Sequence, residues 1–508
     1  MTATSTRTTG EPPTERRHRR HPGRWLPLVS APWTRWTAFA VVALWAVYQQ
    51  LWRLGSANVV TDEPAYQQPG YAYLHGVFTD NRQHPPTAKY LMGLAQVLLG
   101  EGVPSARVPV ALLGLVTGLV LFVWLRRDVG WWTGLLAAGL WWLPPHGIVG
   151  DPSRIDRLAL LDGPMVAFGV VAMWCGWRWA RGGRWPWILS AGIAAGLSVT
   201  SKEIGVLLVP AFVVLPLLFR RWWATLWGGG LFAIGFVVAV VVPYLPFGVV
   251  STVTDMIAFQ RQHAADGHLV EIAGIVTRHS PWWANLWYQW QGTGTLECVV
   301  LAVGVLAAFL IRPGRLVLWL AIVAVPFFVF FLGVSDVALG EYYLAWMPVL
   351  VALAAIGIGR LGSLRGPLWF RTVAFAASLA LVAAVGVSSV RLSVSTWSVH
   401  PTGIGRLPEV LAATHREDAF VLAQRESPSA VAAFVGRNQT RDPHAGPFDL
   451  IVIGQDRRYP LDLGIPAFVE AHPDQVRVVR LDDVEVLVPD GRFRKTATGW
   501  EVIPRQRD

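Results

Sequence analysis

The chain has 508 residues, of which 53% are hydrophobic and only 15% charged, with a mean hydropathy of +0.42 and a formal net charge of +10. An ordinary soluble domain carries about 25% charged residues, so a single soluble domain, a disordered chain and a fibrous protein are all excluded. The basic side is almost all arginine: Lys89, Lys202 and Lys495 are the only lysines. A basic chain can serve nucleic acid or anionic lipid, but here the arginines sit between apolar segments, where they orient a chain in a bilayer. Cys175 and Cys298 both lie in apolar segments, so neither a disulfide framework nor a cysteine metal site is implied.

Residues 1–35 read as a basic cytoplasmic tail carrying Arg16, Arg17, Arg19, Arg20 and Arg24. The first apolar run, near 36–52, has no convincing cleavage site and reads as an uncleaved span. Further runs fall near 106–125, 131–149, 157–177, 186–200, 204–219, 224–247, 294–311, 316–333, 342–359 and 372–391, making eleven, with edges softened by Pro144, Pro145, Pro210 and Pro243. Each is near the ~20 residues a helix needs to cross the hydrocarbon core. With the tail inside, the inner connections collect Arg126 and Arg127; Arg178, Arg181 and Arg184; Arg220 and Arg221; Arg312 and Arg315; and Arg360, Arg365 and Arg371, with Asp128 their only acid. The outer connections hold Asp62, Glu63, Asp80, Asp151, Asp156, Glu203, Asp255, Asp266, Glu271, Asp336 and Glu341. This is the positive-inside pattern, and an odd number of spans puts the C-terminus outside.

Two outer connections, 53–105 and 248–293, are too long to be turns. After residue 392 long apolar runs stop. The pattern reads strand (Ala419–Gln424), helix (Ser427–Gly436), strand (Phe448–Gly454), helix (Ile465–Ala471), then strands Val476–Arg480 and Val484–Val488. The expected architecture is an all-α polytopic membrane domain of about eleven transmembrane helices over 36–392, followed by a small extracytoplasmic α/β domain over 393–508.

Five stretches carry chemistry, and all fall on the outer side. Thr61-Asp62-Glu63-Pro64 places adjacent acids beside the membrane, able to bind metal, act as a base or cap a helix. Asp151 through Asp162 crowds five charges at the opening of the fourth span, and an ionisable group as deep as Asp162 faces a cavity or a partner. Lys202 in Thr200-Ser201-Lys202-Glu203 is either a solvated boundary residue or a point charge for phosphate. Thr277-Arg278-His279-Ser280-Pro281-Trp282-Trp283 and Gly340-Glu341-Tyr342-Tyr343-Leu344 read either as interfacial belts or as head-group contacts. Basic groups for phosphate and an acid for proton removal suit an anionic, lipid-linked substrate.

An acidic pair in the first outer loop followed by His84-Pro85-Pro86-Thr87-Ala88-Lys89-Tyr90 resembles the protein O-mannosyltransferase family. It is also similar to the bacterial aminoarabinose transferases that modify lipid A. Arg157 through Asp162, Ser201-Lys202-Glu203, Ser280-Pro281-Trp282-Trp283 and Tyr342-Tyr343-Leu344 stand in the family's order, so the resemblance covers roughly 36–360. It implies a GT-C fold and a membrane glycosyltransferase that takes a sugar from a polyprenyl-phosphate carrier. It implies Asp62 as catalytic base, with Glu63 positioning Asp62 or the acceptor. His84, Lys89, Arg157, Asp162, Lys202, Arg278 and Tyr343 become donor- and carrier-phosphate residues. The expected outcome is inversion at the sugar.

No luminal β-trefoil domain is found, so the acceptor need not be a protein Ser or Thr; protein, glycan and lipid stay open. Some GT-C relatives use a divalent metal and others do not, and Asp62, Glu63 and His84 could contribute ligands. The alternative from another class is a transporter or flippase of a lipid-linked substrate, which would carry discontinuous helices and internal repeats. A structural or assembly protein is the third reading.

Overall fold

The computed structural model describes residues 31–60, 62–148, 151–436 and 438–505. The basic tail of residues 1–30, Thr61 and the Val149-Gly150 end of the third apolar run lie outside the described residues, as do the side chains of 151–153. The chain divides into two compact units, 1–41 and 42–508. The described part of the first is the N-terminal half of helix α1 (Pro32–Leu51).

Apolar runs of this length, in lipid, satisfy their backbone only as helices. The helices are α2 (Glu63–Leu74), α3 (Thr87–Leu99), α4 (Val103–Asp128), α5 (Trp131–Trp142), α6 (Asp162–Ala180), α7 (Trp185–Ser201), the short α8 (Val209–Val214), α9 (Trp222–Tyr244), α10 (Val249–Asp266), α11 (Ala284–Thr293), α12 (Thr295–Leu310), α13 (Arg315–Gly333), α14 (Met347–Leu361) and α15 (Leu368–Ser398). Among the described residues, four helices are long and apolar enough to cross a membrane by themselves: α4, α9, α13 and the one beginning at Leu368. The pair α11–α12, bent by 111° at Gly294, would make a fifth. The remaining runs also fold as helices, but several are short. The run at 131–149 stops at Trp142, just before Pro144-Pro145, and the run at 204–219 is broken into two 3₁₀ turns around α8.

The two long connections are not irregular. The first is built from α2 and α3, whose backbones touch: a Cβ on Gly93 would strike the Gly70 carbonyl, and one on Gly70 the Lys89 carbonyl. The second holds the mostly exposed α10, a β3–β4 hairpin (Val270–Ile272, Ile275–Thr277) and α11. A further two-stranded ladder, β1 (Gly147–Ile148) with β2 (Asp151–Arg154), precedes α6.

The C-terminal region carries a five-stranded sheet of order β6-β5-β7-β9-β8, from β5 (Val421–Gln424), β6 (Gln439–Thr440), β7 (Leu450–Ile453), β8 (Val476–Leu481) and β9 (Val484–Pro489). β5 runs parallel to β6 and β7, and β9 runs antiparallel to β7 and β8. The alternation along β5 and β7 sends Val421, Ala423, Leu450 and Val452 to one core and Leu422 and Ile451 to another. Helices α16 (Leu407–Thr414), α17 (Pro428–Val435) and α18 (Gly464–Ala471) complete it, with a hairpin of β10 (Arg492–Lys495) and β11 (Trp500–Ile503). The six elements expected here are all present; β6, β10, β11 and α16 are additions, too short or too polar to stand out by periodicity.

Gly93→Leu forces the α2–α3 crossing apart. Overpacking of this kind costs about 1–3 kcal/mol, and the expected outcome is a lowered melting temperature of the detergent-solubilised protein. An unchanged melting temperature would show that the crossing tolerates separation.

Candidate active site

Glu63 opens α2 and is fully buried. Arg107 of α4 grips it through two hydrogen bonds, Nε to Oε1 at 2.7 Å and Nη2 to Oε2 at 2.6 Å. The same carboxylate accepts the Ala159 amide at 2.6 Å and the Val60 amide at 2.9 Å. Arg107 spends its other hydrogens on the carbonyls of Leu54, Ala57 and Asn58. Glu63 is thus a fastening between the first long connection, α4 and the segment before α6. It presents no free oxygen to a substrate.

Its neighbour Asp62 occupies the position before α2 but makes no capping hydrogen bond. It lines a cavity instead, and Tyr66, one turn on, donates to its Oδ2 at 3.4 Å. Burial raises the Asp62 pKa above the ordinary carboxylate value, with Lys202 and then Tyr66 opposing the shift.

The charges before α6 separate into framework and site. Arg154 pairs with Asp156 and donates to the carbonyls of Trp141, Trp142 and Pro144, at the end of α5. Arg157 donates to the carbonyls of Gln49 and Trp52 at 2.8 and 2.6 Å, closing the C-terminus of α1. Asp162, first residue of α6, is different. Both its oxygens accept from Lys202 Nζ, at 2.9 and 2.8 Å. Lys202 ends α7, also lies 3.8 Å from Glu341, and stands 4.5 Å from the centre of the Tyr342 ring. Burial would lower the Lys202 pKa, but Asp162 and Glu341 outweigh it and the net direction is up, so this ammonium stays charged. Burial pushes Glu341 up to about 8.

Lys89 takes a role other than the expected one. It is fully buried, and its ammonium donates to Tyr73 Oη at 3.0 Å, Asn81 O at 2.6 Å, Asn81 Oδ1 at 3.0 Å and His84 O at 2.9 Å. Burial drives its pKa well below the lysine range, with Glu203 opposing. A lysine wrapped in four oxygens pins the loop between α2 and α3; it is poorly placed to serve a phosphate. The His84 ring packs edge-on against Tyr66 (5.5 Å) and Phe259 (5.6 Å), and burial, then Lys89, lowers its pKa to about 3, so it is neutral. Tyr343 is fully buried and donates to Gly147 O at 2.8 Å. The exposed Arg278 lines neither cavity described below. Of the nine residues singled out in the sequence, the structure gathers Asp62, Asp162 and Lys202; Glu63, Lys89, Arg157 and Tyr343 support them from behind.

Two cavities meet at this group. One, of about 520 Å³, is walled mainly by apolar side chains of α10 and α13, among them Met256, Ile257, Phe330 and Val334, with Lys202, Glu203, Arg261 and Tyr342. The other, of about 720 Å³, is polar. Asp62, Glu341, Glu271 and His268 line it together with Glu426, Asp456, Arg458 and Asp483 from the C-terminal region. Lys202 and Tyr342 thus face the first cavity while Asp62 and Glu341 face the second, with the 3.8 Å Lys202–Glu341 contact between them. Sequence reasoning missed Glu341, Tyr342 and Arg458 as site residues. Glu341 and Tyr342 stood in a recognised motif beside the Tyr343 chosen there, but a 3₁₀ turn over Tyr342–Ala345 sets which tyrosine turns inward. Arg458 carried no signal.

The residues do not form the metal site left open above. Glu63 is consumed by Arg107 and two amides, and among the described residues no group of three or more His, Cys, Asp or Glu is placed so that it could hold a metal ion.

Residues 83–247 match the family model described as dolichyl-phosphate-mannose-protein mannosyltransferase. The match takes in the His84-to-Tyr90 motif and Lys202, while Asp62 lies before it. No curated protein matches the chain in sequence. In three dimensions the chain is similar to ArnT from Cupriavidus metallidurans bound to undecaprenyl phosphate, at 16% identity and a TM-score of 0.59, over 90% of this chain and 98% of that one. It is also similar to the oligosaccharyltransferase of Archaeoglobus fulgidus, at 12% identity and a TM-score of 0.54, over 80% of this chain and 64% of that one. The AglB complex from the same organism with an inhibitory peptide and a dolichol-phosphate gives 12% identity and a TM-score of 0.50 over the same shares. The chain has the GT-C fold that its motifs imply.

Lys89→Met and Lys202→Met separate framework from site. Lys89→Met strands the Asn81 and His84 oxygens, which costs on the order of 3 kcal/mol, so the melting temperature falls. Lys202→Met is expected to weaken carrier-lipid binding at least tenfold, read by competition with a labelled polyprenyl phosphate. Equal loss of binding in both variants with stability unchanged would return Lys89 to the site.

Proposed function

We propose that this protein is a membrane glycosyltransferase that moves a sugar from a polyprenyl-phosphate carrier to an acceptor hydroxyl, with inversion. The observation that carries the reading is the pairing of an apolar and a polar cavity across one wall, with a held cation on the first side and a carboxylate base on the second. The apolar cavity suits the prenyl chain, and its position puts the carrier phosphate at Lys202 and Tyr342. The sugar then projects toward Asp62.

In this reading the acceptor oxygen attacks the anomeric carbon while the bond from that carbon to the phosphate oxygen breaks. The electron pair leaves with the carrier phosphate, and the acceptor proton passes to Asp62. A single displacement on one face inverts the anomeric centre, and one base suffices because the phosphate needs no protonation to leave. Lys202 holds its charge before the phosphate gains its own, so little reorganisation accompanies the step. Glu63, Lys89 and Arg157 act only by position: they fix the loop that carries Asp62.

The reading extends to placement. The tail of residues 1–35 lies in the cytoplasm, about eleven helices span the cell membrane, and residues 393–508 form an extracytoplasmic domain. That domain contributes Glu426, Asp456, Arg458 and Asp483 to the polar cavity. A wall this rich in carboxylates suits a hydroxyl borne on a neutral or cationic acceptor better than on an anionic one. The transferred unit is a hexose or a pentose.

Asp62→Asn should cut turnover of radiolabelled polyprenyl-phosphate sugars by about 10²–10⁴-fold, the usual range for a general base, while carrier binding persists. The wild-type rate should climb with pH through an apparent pKa above the ordinary carboxylate value, because only ionised Asp62 accepts a proton and burial raises its pKa. Full activity in Asp62→Asn would overturn Asp62 as the base, and carrier movement across the bilayer without sugar release would move the weight to a flippase.

A further inference from the structure

A third cavity, of about 330 Å³, lies far from this site. Arg127, Asp128, Arg178, Arg181, Gly182 and Gly183 line it, where α4 and α6 end and the turn into α7 begins. Two helices give its depth. Asp162, which holds Lys202, begins α6, and Arg178 is sixteen residues further along the same helix, about 24 Å at the α-helical rise. Arg107, which holds Glu63, and Arg127 are twenty residues apart on α4, about 30 Å. These spacings are those of a hydrocarbon core of ~30 Å. The cavity therefore belongs to the opposite membrane interface, and the exposed Trp132 and Trp185, early in the next helices, fit that level.

The charges in it do not balance. Three guanidinium groups share one carboxylate, and Asp128 is already engaged by Arg181 and by Trp177 Nε1 at 2.8 Å. The Arg178 guanidinium lies over the Trp187 ring, 5.1 Å from its centre, and its Nε is buried with no hydrogen-bond partner among the described residues. A buried guanidinium donor without an acceptor is costly, and a ligand oxygen removes the cost. Gly182, at a φ of +100°, gives the turn a conformation that leaves no side chain in the opening. Basic pockets between helix ends on the inner face are the form that anionic head-group sites take.

We propose that this cavity binds a phosphate group, supplied by the head group of an anionic lipid of the inner leaflet and held by Arg127 and Arg178. The site is independent of the proposed sugar transfer and sits at the other end of the helices that carry that chemistry.

The test uses the full chain, stripped of lipid in a neutral detergent. Phosphatidylglycerol, phosphatidylcholine or inorganic phosphate is added, and the melting temperature is followed at low and high salt. The expected result is a rise with phosphatidylglycerol but not with phosphatidylcholine, shrinking as salt screens the arginines. In an Arg127→Gln/Arg178→Gln double variant the half-saturating phosphatidylglycerol concentration should rise on the order of tenfold or more, two surface arginines being lost. An equal rise with inorganic phosphate, also lost in the double variant, would keep the site but make free anion its ligand. Equal stabilisation by both lipids, or a phosphatidylglycerol effect that survives both substitutions, overturns the proposal. Should the double variant not fold, Arg127→Gln alone, at an exposed helix end, and the salt dependence of the wild type decide the same question.

Discussion

The buried ion pair of Glu63 with Arg107 is the constraint on which the active-site geometry depends. Taking two charges out of water is expensive, and a buried pair is by itself weak evidence of stability. What this pair achieves is registration. Its carboxylate also holds the amides of Val60 and Ala159, and its guanidinium holds the carbonyls of Leu54, Ala57 and Asn58. Three stretches far apart in sequence are thereby tied to one point: residues 54–63 between α1 and α2, Arg107 on α4 and the approach to α6 at Ala159. Removing either partner would leave a buried charge uncompensated, a loss of about 3–5 kcal/mol. Asp62 is the next residue along. Its freedom to face a cavity follows from the complete engagement of its neighbour.

The buried cations divide by how far their hydrogens are spent. Arg107, Arg154 and Lys89 are each surrounded by carbonyl and carboxylate oxygens, several from backbone that no helix satisfies. They replace the water that buried irregular segments cannot reach. Lys202 is held differently, by one carboxylate on one side and by an aromatic face and a second carboxyl, Glu341, on the other. It is charged, fixed and open toward an apolar cavity. The difference between a structural and a poised cation lies in that inventory of partners, which residue type alone does not reveal.

Much of the architecture was legible because membrane burial writes long signals. The apolar runs, the arginine asymmetry and the change of composition after residue 392 each extend over many residues, and the helices and the C-terminal sheet follow them. The interrupted run at 204–219 and the helices inside the two long connections were less so. Pro210 and Pro216 break the first, α2 is half polar with no stripe to count, and α3 is only thirteen residues long. For the site, the motifs name adjacent residues that the structure places differently. Asp62 and Glu63 are adjacent, as are Tyr342 and Tyr343; in each pair one side chain reaches a cavity and the other is locked into the framework. One residue of register on a helix turns a side chain by ~100°, and only the packed partners, Arg107 and the Gly147 carbonyl, decide it.

The Asp162–Lys202 pair shows why a buried carboxylate at the start of α6 is worth its desolvation. Burial lowers the Lys202 pKa, Asp162 and then Glu341 oppose it, and a neutral amine would offer a departing phosphate little. With Asp162 behind it the ammonium is charged before any ligand arrives, and its orientation is fixed by two hydrogen bonds. In the proposed reaction the charge on the carrier phosphate grows as the sugar leaves. A fixed cation in a wall of low dielectric favours that growing charge more than it favours the intact donor. In that reading the acid at the mouth of α6 serves the chemistry without touching substrate, by holding its partner's charge against the effect of burial.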